Sequence, residues 1–205
     1  GRALYDIMRR NSVEAVTPHD QVCCGYPLLK TGQVEIAKNN LIKRNIEAFE
    51  KHKIDTVVTA CACCGITLKT DYPRLSIEIL GREPRFRVMD ISEFLTKEIE
   101  LNRKDMSQII MKVTFHDPCN LRRGQNIFEE PRKILTTIPS LKLLETEGSD
   151  ECCGAGGGVI FGRPHIADMI AAKKLRSITK AEADAVTTSC PFCIEQISQS
   201  AKNLG

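Results

Sequence analysis

The chain has 205 residues, 42% of them hydrophobic and 27% charged, which is enough to bury one large or two small hydrophobic cores. A net charge of +3 with intermingled signs, few aromatic residues and no tryptophan argue against a nucleic-acid-binding protein. No apolar run approaches the roughly 20 residues that a bilayer requires. We therefore expect a cytoplasmic protein that meets a membrane only through a partner.

In chain order, the first half of the chain predicts the end of a helix over 2–10, a strand over 13–17, a helix over 33–53, a strand over 55–60, a helix over 66–70, a connection over 71–85 that contains Pro73 and Pro84, and a strand over 86–89. The helix over 33–53 follows from apolar residues at helical spacing. Asp90 and Glu93 have the spacing of a capping box, which predicts a further helix through about residue 103.

The second half predicts, in chain order, a strand over 112–116, a helix that contains Pro131 and stops before Pro139, a strand over 141–145, a helix over 164–179, a strand over 183–188 and a short terminal helix. Strands that alternate with helices predict an α/β fold with a mostly parallel sheet. Functional groups in such sheets gather beyond the carboxyl ends of the strands. Cys61, Cys119 and Cys190 each follow a predicted strand, so we expect their side chains to converge.

The chain contains ten cysteines, and their spacing is regular. In the second half, a lone Cys119 is followed by the adjacent pair Cys152-Cys153 and then by Cys190 and Cys193, which form a Cys-x-x-Cys motif. Adjacent cysteines rarely reach the torsion that a disulfide requires. Several thiolates directed at one point suit soft metals, above all zinc or an iron–sulfur cluster. A disulfide scaffold is the alternative, but such scaffolds are usually short, secreted and rich in loops.

The same spacing occurs in the first half, in the four cysteines Cys23, Cys24, Cys61 and Cys64. Their sequence numbers are each lower by 129 than those of the adjacent pair and the Cys-x-x-Cys motif of the second half. This period indicates a duplicated domain, and we place the repeats at 1–105 and 106–205. The counterpart of Cys119 would lie before Gly1. We therefore expect that the chain is a fragment that begins inside its first repeat, and that this repeat takes one ligand from further upstream.

Three motifs carry a family resemblance: His116-Asp-Pro-Cys119, the block from Glu151 to Gly158, and Ser189-Cys-Pro-Phe-Cys193. They resemble the cysteine-rich CCG domain of the B-type and D-type subunits of heterodisulfide reductase, of thiol:fumarate reductase and of the iron–sulfur subunits of glycolate and lactate oxidases. The resemblance covers nearly the whole chain and implies two repeated Rossmann-like CCG units. The first repeat departs from the pattern through its missing first cysteine and the additional Cys63.

The resemblance also implies a ligand set and a reaction. In the second repeat Cys119, Cys152, Cys153, Cys190 and Cys193 would hold a noncubane 4Fe–4S cluster at which a disulfide is cleaved. In the first repeat Cys23, Cys24, Cys61 and Cys64 would hold a second cluster, or zinc, for which four thiolates suffice. The substrate would be a small thiol or disulfide of the coenzyme M–coenzyme B type. Ferredoxin-type and flavoprotein subunits or domains would be the partners.

Other residues and functions have competing interpretations. His116 could donate a hydrogen bond or a proton near the cluster, or could be an imidazole satisfied at a strand end. Gly154, Gly156 and Gly157 let amides approach a cluster; a dinucleotide-binding loop is disfavoured because no strand directly precedes them. We expect Cys63 to be a buried neighbour rather than a ligand. Two alternative functions remain, an electron-relay subunit of a flavin-dependent 2-hydroxyacid oxidase and a zinc-stabilised structural domain.

Overall fold

The computed structural model of the chain describes residues 1–99 and 101–203. Its strands are β1 (Thr56–Thr59), β2 (Arg87–Asp90), β3 (Met111–Phe115), β4 (Leu141–Leu144) and β5 (Ala185–Thr187). Its α-helices are α1 (Arg2–Arg10), α2 (Tyr26–Lys30), α3 (Val34–Ala37), α4 (Lys43–Lys51), α5 (Ala62–Ile66), α6 (Tyr72–Leu80), α7 (Ile91–Lys97), α8 (Cys119–Gln125), α9 (Glu129–Thr137), α10 (Val159–Gly162), α11 (Pro164–Lys180) and α12 (Pro191–Asn203). No helix of the described residues is both long and apolar enough to span a bilayer.

The strands form two separate parallel sheets. In the first, β1 pairs with β2, with Thr56 opposite Arg87. In the second, β3 lies between β4 and β5, with Val113 opposite Ala185. The predicted α/β class with parallel sheets is confirmed. One sheet lies in each half of the chain, while the division at residues 105 and 106 stays a prediction.

The predicted strand over 13–17 is wrong, because this segment pairs with no strand among the described residues. Val13 and Ala15 pack on a hydrophobic cluster around Met8, Met89 and Phe94. Their alternation with exposed residues therefore records burial on one side of the segment rather than membership of a sheet. Periodicity alone does not separate these two situations.

The predicted connection over 71–85 is also wrong at its start, because helix continues through Pro73 to Leu80. Proline lacks the N–H that an α-helix would use at this position. A π-helical turn over Thr67–Asp71 precedes Pro73, and such turns accommodate irregular hydrogen bonding within a helix. A matching π-turn over Lys38–Ile42 joins α3 to α4, so the long predicted helix is present but carries a bulge.

The capping box at Asp90 is confirmed. The carboxylate of Asp90 accepts a hydrogen bond from the backbone N–H of Ser92 at 2.9 Å, and Glu93 accepts one from the N–H of Asp90 at 3.2 Å. Helix α7 ends at Lys97, earlier than the predicted residue 103. The predicted extension includes Glu100, which lies outside the described residues.

The two halves of the chain meet where α5 crosses α8. A Cβ atom at Gly124 of α8 would lie 2.4 Å from Cδ1 of Ile66 in α5, and a Cβ at Gly65 of α5 would lie 2.9 Å from the side-chain amide of Gln125. Two glycines that face the opposite helix therefore let the helices approach closely. Helices α5 and α8 begin directly after Cys61 and Pro118, so their crossing brings the starts of both helices together.

Candidate metal centre

Three loops deliver the cysteines of the second repeat to one edge of its sheet. Cys119 follows the central strand β3, and Cys190 follows the neighbouring strand β5. The backbone N–H of His116 donates to the carbonyl of Thr187 at 2.9 Å, which continues the pairing of these strands up to the site. Carboxyl ends of parallel strands share an edge, as the sequence predicted.

The five predicted thiols of the second repeat lie together. Cys153 Sγ lies 3.3 Å from Cys193 Sγ, and Cys193 in turn contacts Cys190. Cys152 contacts both Cys153 and Cys119. The thiols of Cys153, Cys190 and Cys193 are buried, with 3–4% of each residue exposed. The structure thus brings the whole predicted set into one group, which we call the second centre.

Hydrogen bonds between neighbouring thiols of the second centre shift their pKa values in opposite directions. The hydrogen bond from Cys193 lowers the pKa of Cys190 to about 3 and, with burial, raises the pKa of Cys193. The hydrogen bond from Cys119 likewise lowers the pKa of Cys152 and raises that of Cys119. A thiolate beside a thiol is the arrangement that a metal cation converts into two metal–sulfur bonds by displacing the shared proton. The donor set therefore fits a soft metal or an iron–sulfur group.

The glycines after Cys153 shape a turn around the thiols. Gly154 has φ +97°, and its N–H points at the sulfur of Cys152 with N and Sγ 3.3 Å apart. A Cβ at Gly154 would lie 2.4 Å from the carbonyl oxygen of Ala167, so only glycine fits. Gly156 lies beside the same sulfur, since a Cβ there would be 3.9 Å from Cys152 Sγ, and Gly157 lines the adjacent cavity. Amide donors to sulfur are one control on the potential of a thiolate-bound metal group.

His116 lies inside the second centre. It is 2% exposed, and neither ring nitrogen has a hydrogen-bond partner among the described residues. One ring nitrogen and the sulfurs of Cys153 and Cys193 all lie within 4.8 Å of one another. Burial and the nearby Lys174 ammonium lower the pKa of His116 to about 4, so the imidazole is neutral at pH 7. The alternative of an imidazole satisfied at the strand end therefore does not hold in this structure.

Asp117, next in the chain, anchors the loops that carry the thiols. Its buried carboxylate accepts hydrogen bonds from Arg122 at 2.9 Å, from Arg132 at 2.8 Å and from the Ser149 hydroxyl at 2.9 Å. Burial raises the pKa of Asp117, but these donors outweigh it and hold the pKa below its usual value. A carboxylate surrounded by donors in this way fixes the helix start at Cys119 relative to the loop before Cys152.

Sequence analysis missed Lys174, which holds the same loop from the other side. Its ammonium is buried in helix α11 and donates to the carbonyls of Gly148 at 2.7 Å and Ser149 at 3.0 Å. The duplication could have indicated the role of Lys174, because the offset of 129 residues between the repeats aligns it with Asn45. Asn45 is also buried and donates to the carbonyl of Cys23 at 3.0 Å. Each repeat thus uses one buried polar side chain to clamp the loop beside its cysteine pair.

The first repeat gathers a smaller group of thiols, which we call the first centre. Cys64 contacts Cys24 and Cys61, and Cys24 contacts Cys23. Hydrogen bonds from neighbouring thiols lower the pKa of Cys61 to about 2 and that of Cys24 to about 7. Cys23 is exposed, whereas the other three are half-buried. The four predicted cysteines are therefore together, and the described residues add no fifth one dedicated to this centre.

Cys63 is buried, as expected, but it lies between the two centres. Its thiol contacts Cys61 on one side and Cys190 on the other. Cys63 thus packs beside thiols of both centres, with Cys61 in the first and Cys190 in the second.

A cavity of about 100 Å³ opens beside the second centre. Tyr26 and Lys30 of α2 line it, as do Phe161 and Phe192. Four of the second-centre thiols and Cys63 also line it. The first repeat therefore covers the second centre and contributes to any pocket at which a small molecule could meet the thiols.

The cysteine-rich domain model, designated CCG, matches residues 1–69 and 113–198. The chain belongs to the CCG cysteine-rich domain family. It is 45% identical to the B subunit of "Fumarate reductase (CoM/CoB)" of Methanothermobacter marburgensis over 205 residues, which are 100% of this chain and 40% of that protein. Identity to the D subunit of "Dihydromethanophenazine:CoB--CoM heterodisulfide reductase" of Methanosarcina barkeri is 37%, over 90% of this chain and 46% of that protein.

A further CCG relative comes from bacteria. The "Probable glycolate oxidase iron-sulfur subunit" of Bacillus subtilis is 29% identical, over 95% of this chain and 45% of that protein. The chain thus spans less than half the length of each of these three relatives. All three are named as subunits of oxidoreductases, which agrees with the redox resemblance of the sequence motifs.

Proposed function

We propose that this CCG chain is the iron–sulfur part of a heterodisulfide-reductase-like oxidoreductase that exchanges electrons with a small thiol or disulfide. The observation that carries this proposal is the convergence of five thiols and an unpartnered imidazole, among the described residues, beside a cavity that both repeats line. The two methanogen relatives are named for reactions of CoM and CoB, and we extend that substrate class to this chain.

The proposed ligands of the second centre are Cys119, Cys152, Cys153, Cys190 and Cys193, which would hold a noncubane 4Fe–4S cluster. Five thiolates exceed the four that a structural zinc ion takes, which favours a cluster over zinc. For the first centre we propose a second cluster, or zinc, held by Cys23, Cys24, Cys61 and Cys64. When bound, such a group supplies electrons one at a time at a site where sulfur can coordinate.

The side chains of the cavity have separate proposed tasks. Phe161 and Phe192 provide apolar walls against which the methylene groups of a thiol or disulfide can pack. Lys30, whose ammonium lies 5.4 Å from the centre of the Tyr26 ring, provides a cation for the anionic end of a substrate. The Tyr26 hydroxyl accepts a hydrogen bond from Asn120 at 3.0 Å, so its own hydrogen can be donated to a sulfur in the cavity.

The proposed partners are ferredoxin-type and flavoprotein subunits or domains, because reduction of a disulfide consumes two electrons and two protons that these residues do not generate. We also propose that the chain divides at residues 105 and 106 into two repeats and that it works in the cytoplasm. The chain would act on a sulfur group as part of such a complex.

A second candidate function is electron relay in a flavin-dependent 2-hydroxyacid oxidase. The Bacillus subtilis relative favours it, since it covers 95% of the chain. In that case the second centre would accept electrons from a flavin and would not bind a disulfide. The two candidates therefore differ in what the cavity beside the second centre binds.

Metal analysis and a substrate titration test the proposal. Iron, acid-labile sulfide and zinc are measured in full-length protein prepared without oxygen. Oxidised and reduced samples are then titrated with the disulfide of coenzyme M and coenzyme B, and with the free thiols, while the electron paramagnetic resonance spectrum is recorded. Iron with matching sulfide and a spectrum altered by disulfide or thiol supports the proposal.

Other results would change the assignment. Iron and sulfide with a spectrum that no thiol or disulfide alters would favour the relay, and zinc without sulfide would refute both redox functions. Cys153→Ser should remove or alter the second centre, whereas Cys23→Ser, at an exposed thiol of the first centre, should leave the second-centre spectrum unchanged. Identical iron content and spectra in wild type and Cys153→Ser would refute the ligand assignment.

A further inference from the structure

Cys63 belongs to the first repeat, yet its side chain enters the second centre. The residue is 5% exposed and packs in one cluster with Cys153, Cys190 and Cys193. Its thiol contacts that of Cys190 and lines the same cavity as the second-centre thiols. Its position in the fold, rather than its position in the repeat pattern, therefore groups it with the second centre.

A polar contact holds the Cys63 sulfur in this orientation. The side-chain amide of Asn120 lies with Nδ2 3.1 Å from Cys63 Sγ and donates to it. Asn120 directly follows Cys119, so the same helix start supplies a thiol of the second centre and a donor to Cys63. A sulfur that accepts an N–H hydrogen bond is arranged as a thiolate ligand is in metal sites.

The crossing of α5 and α8 explains why Cys63, a residue of the first repeat, lies in the second centre. Gly65 and Gly124 let the helices approach, and Gln125 donates to the carbonyls of Ala62 at 3.1 Å and Asn120 at 2.9 Å. Gln125 thereby ties the first turns of the two helices together. Cys63 in α5 is consequently held over the first turn of α8 by packing and hydrogen bonds.

The duplication provides an internal comparison. The offset between the repeats aligns Cys63 with Phe192, so the second repeat has an aromatic ring where the first has a thiol. Phe192 is 38% exposed and lines the cavity beside the second centre, in its own repeat. The contribution is therefore one-way, with the first repeat donating a thiol to the second centre.

A second, independent observation indicates that the second centre binds a ligand. The thiols alone leave one buried polar side chain of the centre without a partner. His116 is 2% exposed, its ring nitrogens have no hydrogen-bond partner among the described residues, and it faces Cys153 and Cys193. A buried polar group without a partner costs free energy, so a ligand that accepts its contact would explain its retention.

We propose that Cys63 is a sixth thiolate ligand of the metal group in the second centre, supplied by the first repeat. This inference rests on the proposed function, because it concerns the same site. On binding, the Cys63 S–H bond breaks, its proton leaves to solvent, and the sulfur forms a bond to the metal while Asn120 continues to donate to it. No electron transfer is involved in this step.

The test compares Cys63→Ala and Cys63→Ser with wild type in the full-length protein. Cys193→Ser and Cys64→Ser first identify which electron paramagnetic resonance signals come from the second and the first centre. We expect Cys63→Ala to shift or abolish the second-centre signal, and Cys63→Ser to shift it less, because serine retains an oxygen ligand. Ile77→Ala, at an exposed position of α6 outside the cavity lining, should leave both signals unchanged.

Two results would overturn the proposal while leaving the proposed function intact. One is a second-centre signal identical to that of wild type in Cys63→Ala, and the other is a change confined to the first-centre signal. Circular dichroism establishes whether each variant is folded. If Cys63→Ala does not fold, the comparison is made with Cys63→Ser.

A cobalt titration separates failure of this proposal from failure of the proposed function. Metal-free protein in a Cys64→Ser background is titrated with Co²⁺, and the sulfur-to-cobalt charge-transfer absorbance is measured with and without Cys63→Ala. Lower absorbance in the alanine variant supports ligation even if the wild type contains no iron–sulfur cluster. Equal absorbance refutes ligation of a single four-coordinate metal ion by Cys63, and a wild-type second-centre signal in iron-loaded Cys63→Ala refutes ligation of a cluster.

Discussion

Replacing Gly154 by alanine should both destabilise the fold and disturb the second centre, and the duplication supplies the control. Gly154 and Gly25 occupy aligned positions with similar backbones, at φ +97° and +90°. A Cβ at Gly154 would lie 2.4 Å from the Ala167 carbonyl oxygen, whereas the nearest atom to a Cβ at Gly25 would be 3.7 Å away. The two substitutions therefore share the backbone strain and differ in the steric clash.

The expected magnitudes follow from these distances. A positive φ costs an alanine about 1–2 kcal/mol, which both variants should lose from the free energy of unfolding. The clash at Gly154 involves the backbone of helix α11, which moves less readily than a side chain, and should add about 1–3 kcal/mol. Gly154→Ala should also weaken the N–H contact to Cys152 and so lower metal content more than Gly25→Ala does.

Urea unfolding of the reduced, metal-free variants measures the first effect, and metal analysis after anaerobic reconstitution measures the second. Equal losses in Gly154→Ala and Gly25→Ala, within about 0.5 kcal/mol, would refute the steric argument. Metal content equal to that of wild type in Gly154→Ala would show that the turn at Gly154 does not position the second-centre thiols.

Two further predictions concern residues outside the thiol sets. Lys174→Met should speed amide hydrogen exchange over residues 147–151, because two loop carbonyls lose their hydrogen-bond donor. Lys173→Met should not, because the ion pair of Lys173 is exposed. Equal exchange rates in the two variants would refute the proposed role of Lys174 in holding the loop. Arg82→Gln should lower the free energy of unfolding of metal-free protein at pH 7. The difference from wild type should disappear as pH falls well below 4.5, because the hydrogen bond from Arg82 lowers the pKa of Glu50 and its stabilisation is lost on protonation. A difference that does not diminish as pH is lowered from 7 to 2 would exclude this ion pair as the cause.

The grouping of the thiols was predictable because it depends on topology. Cys119 and Cys190 follow strands, and parallel strands place their carboxyl ends on one edge whatever the side-chain packing. The false strand over 13–17 and the helix that continues through Pro73 were not predictable from the same patterns. One-sided burial imitates a strand, and a π-turn removes the usual consequence of an internal proline.

Buried polar residues were predictable only through the duplication. Lys174 occupies a helix position flanked by the buried Ala171 and Leu175, where hydropathy alone indicates a solvated lysine. Its alignment with Asn45 indicates instead a shared loop clamp, but the two side chains differ in charge and length, so the sequences alone do not reveal the common role. The partners are backbone carbonyls, which leave no trace in a residue pattern.

The orientation of Cys63 depends on packing between the repeats, and a compensating pair of substitutions tests that dependence. Gly124→Ala would place a Cβ 2.4 Å from Ile66 Cδ1, the far end of a side chain that can move, so we expect a loss of about 1–3 kcal/mol in the free energy of unfolding. Ile66→Val deletes the clashing atom and should restore most of that loss in the double variant. Ile66→Val alone should cost about 0.5–1.5 kcal/mol.

Alkylation of Cys63 in the metal-free protein, followed by mass spectrometry, reports whether the helix crossing also sets its burial. The thiol should react faster in Gly124→Ala than in wild type and return towards the wild-type rate in the double variant. If Ile66→Val restores neither stability nor protection of Cys63, the close approach of α5 and α8 does not determine where this thiol points. The first repeat would then reach the second centre for another reason.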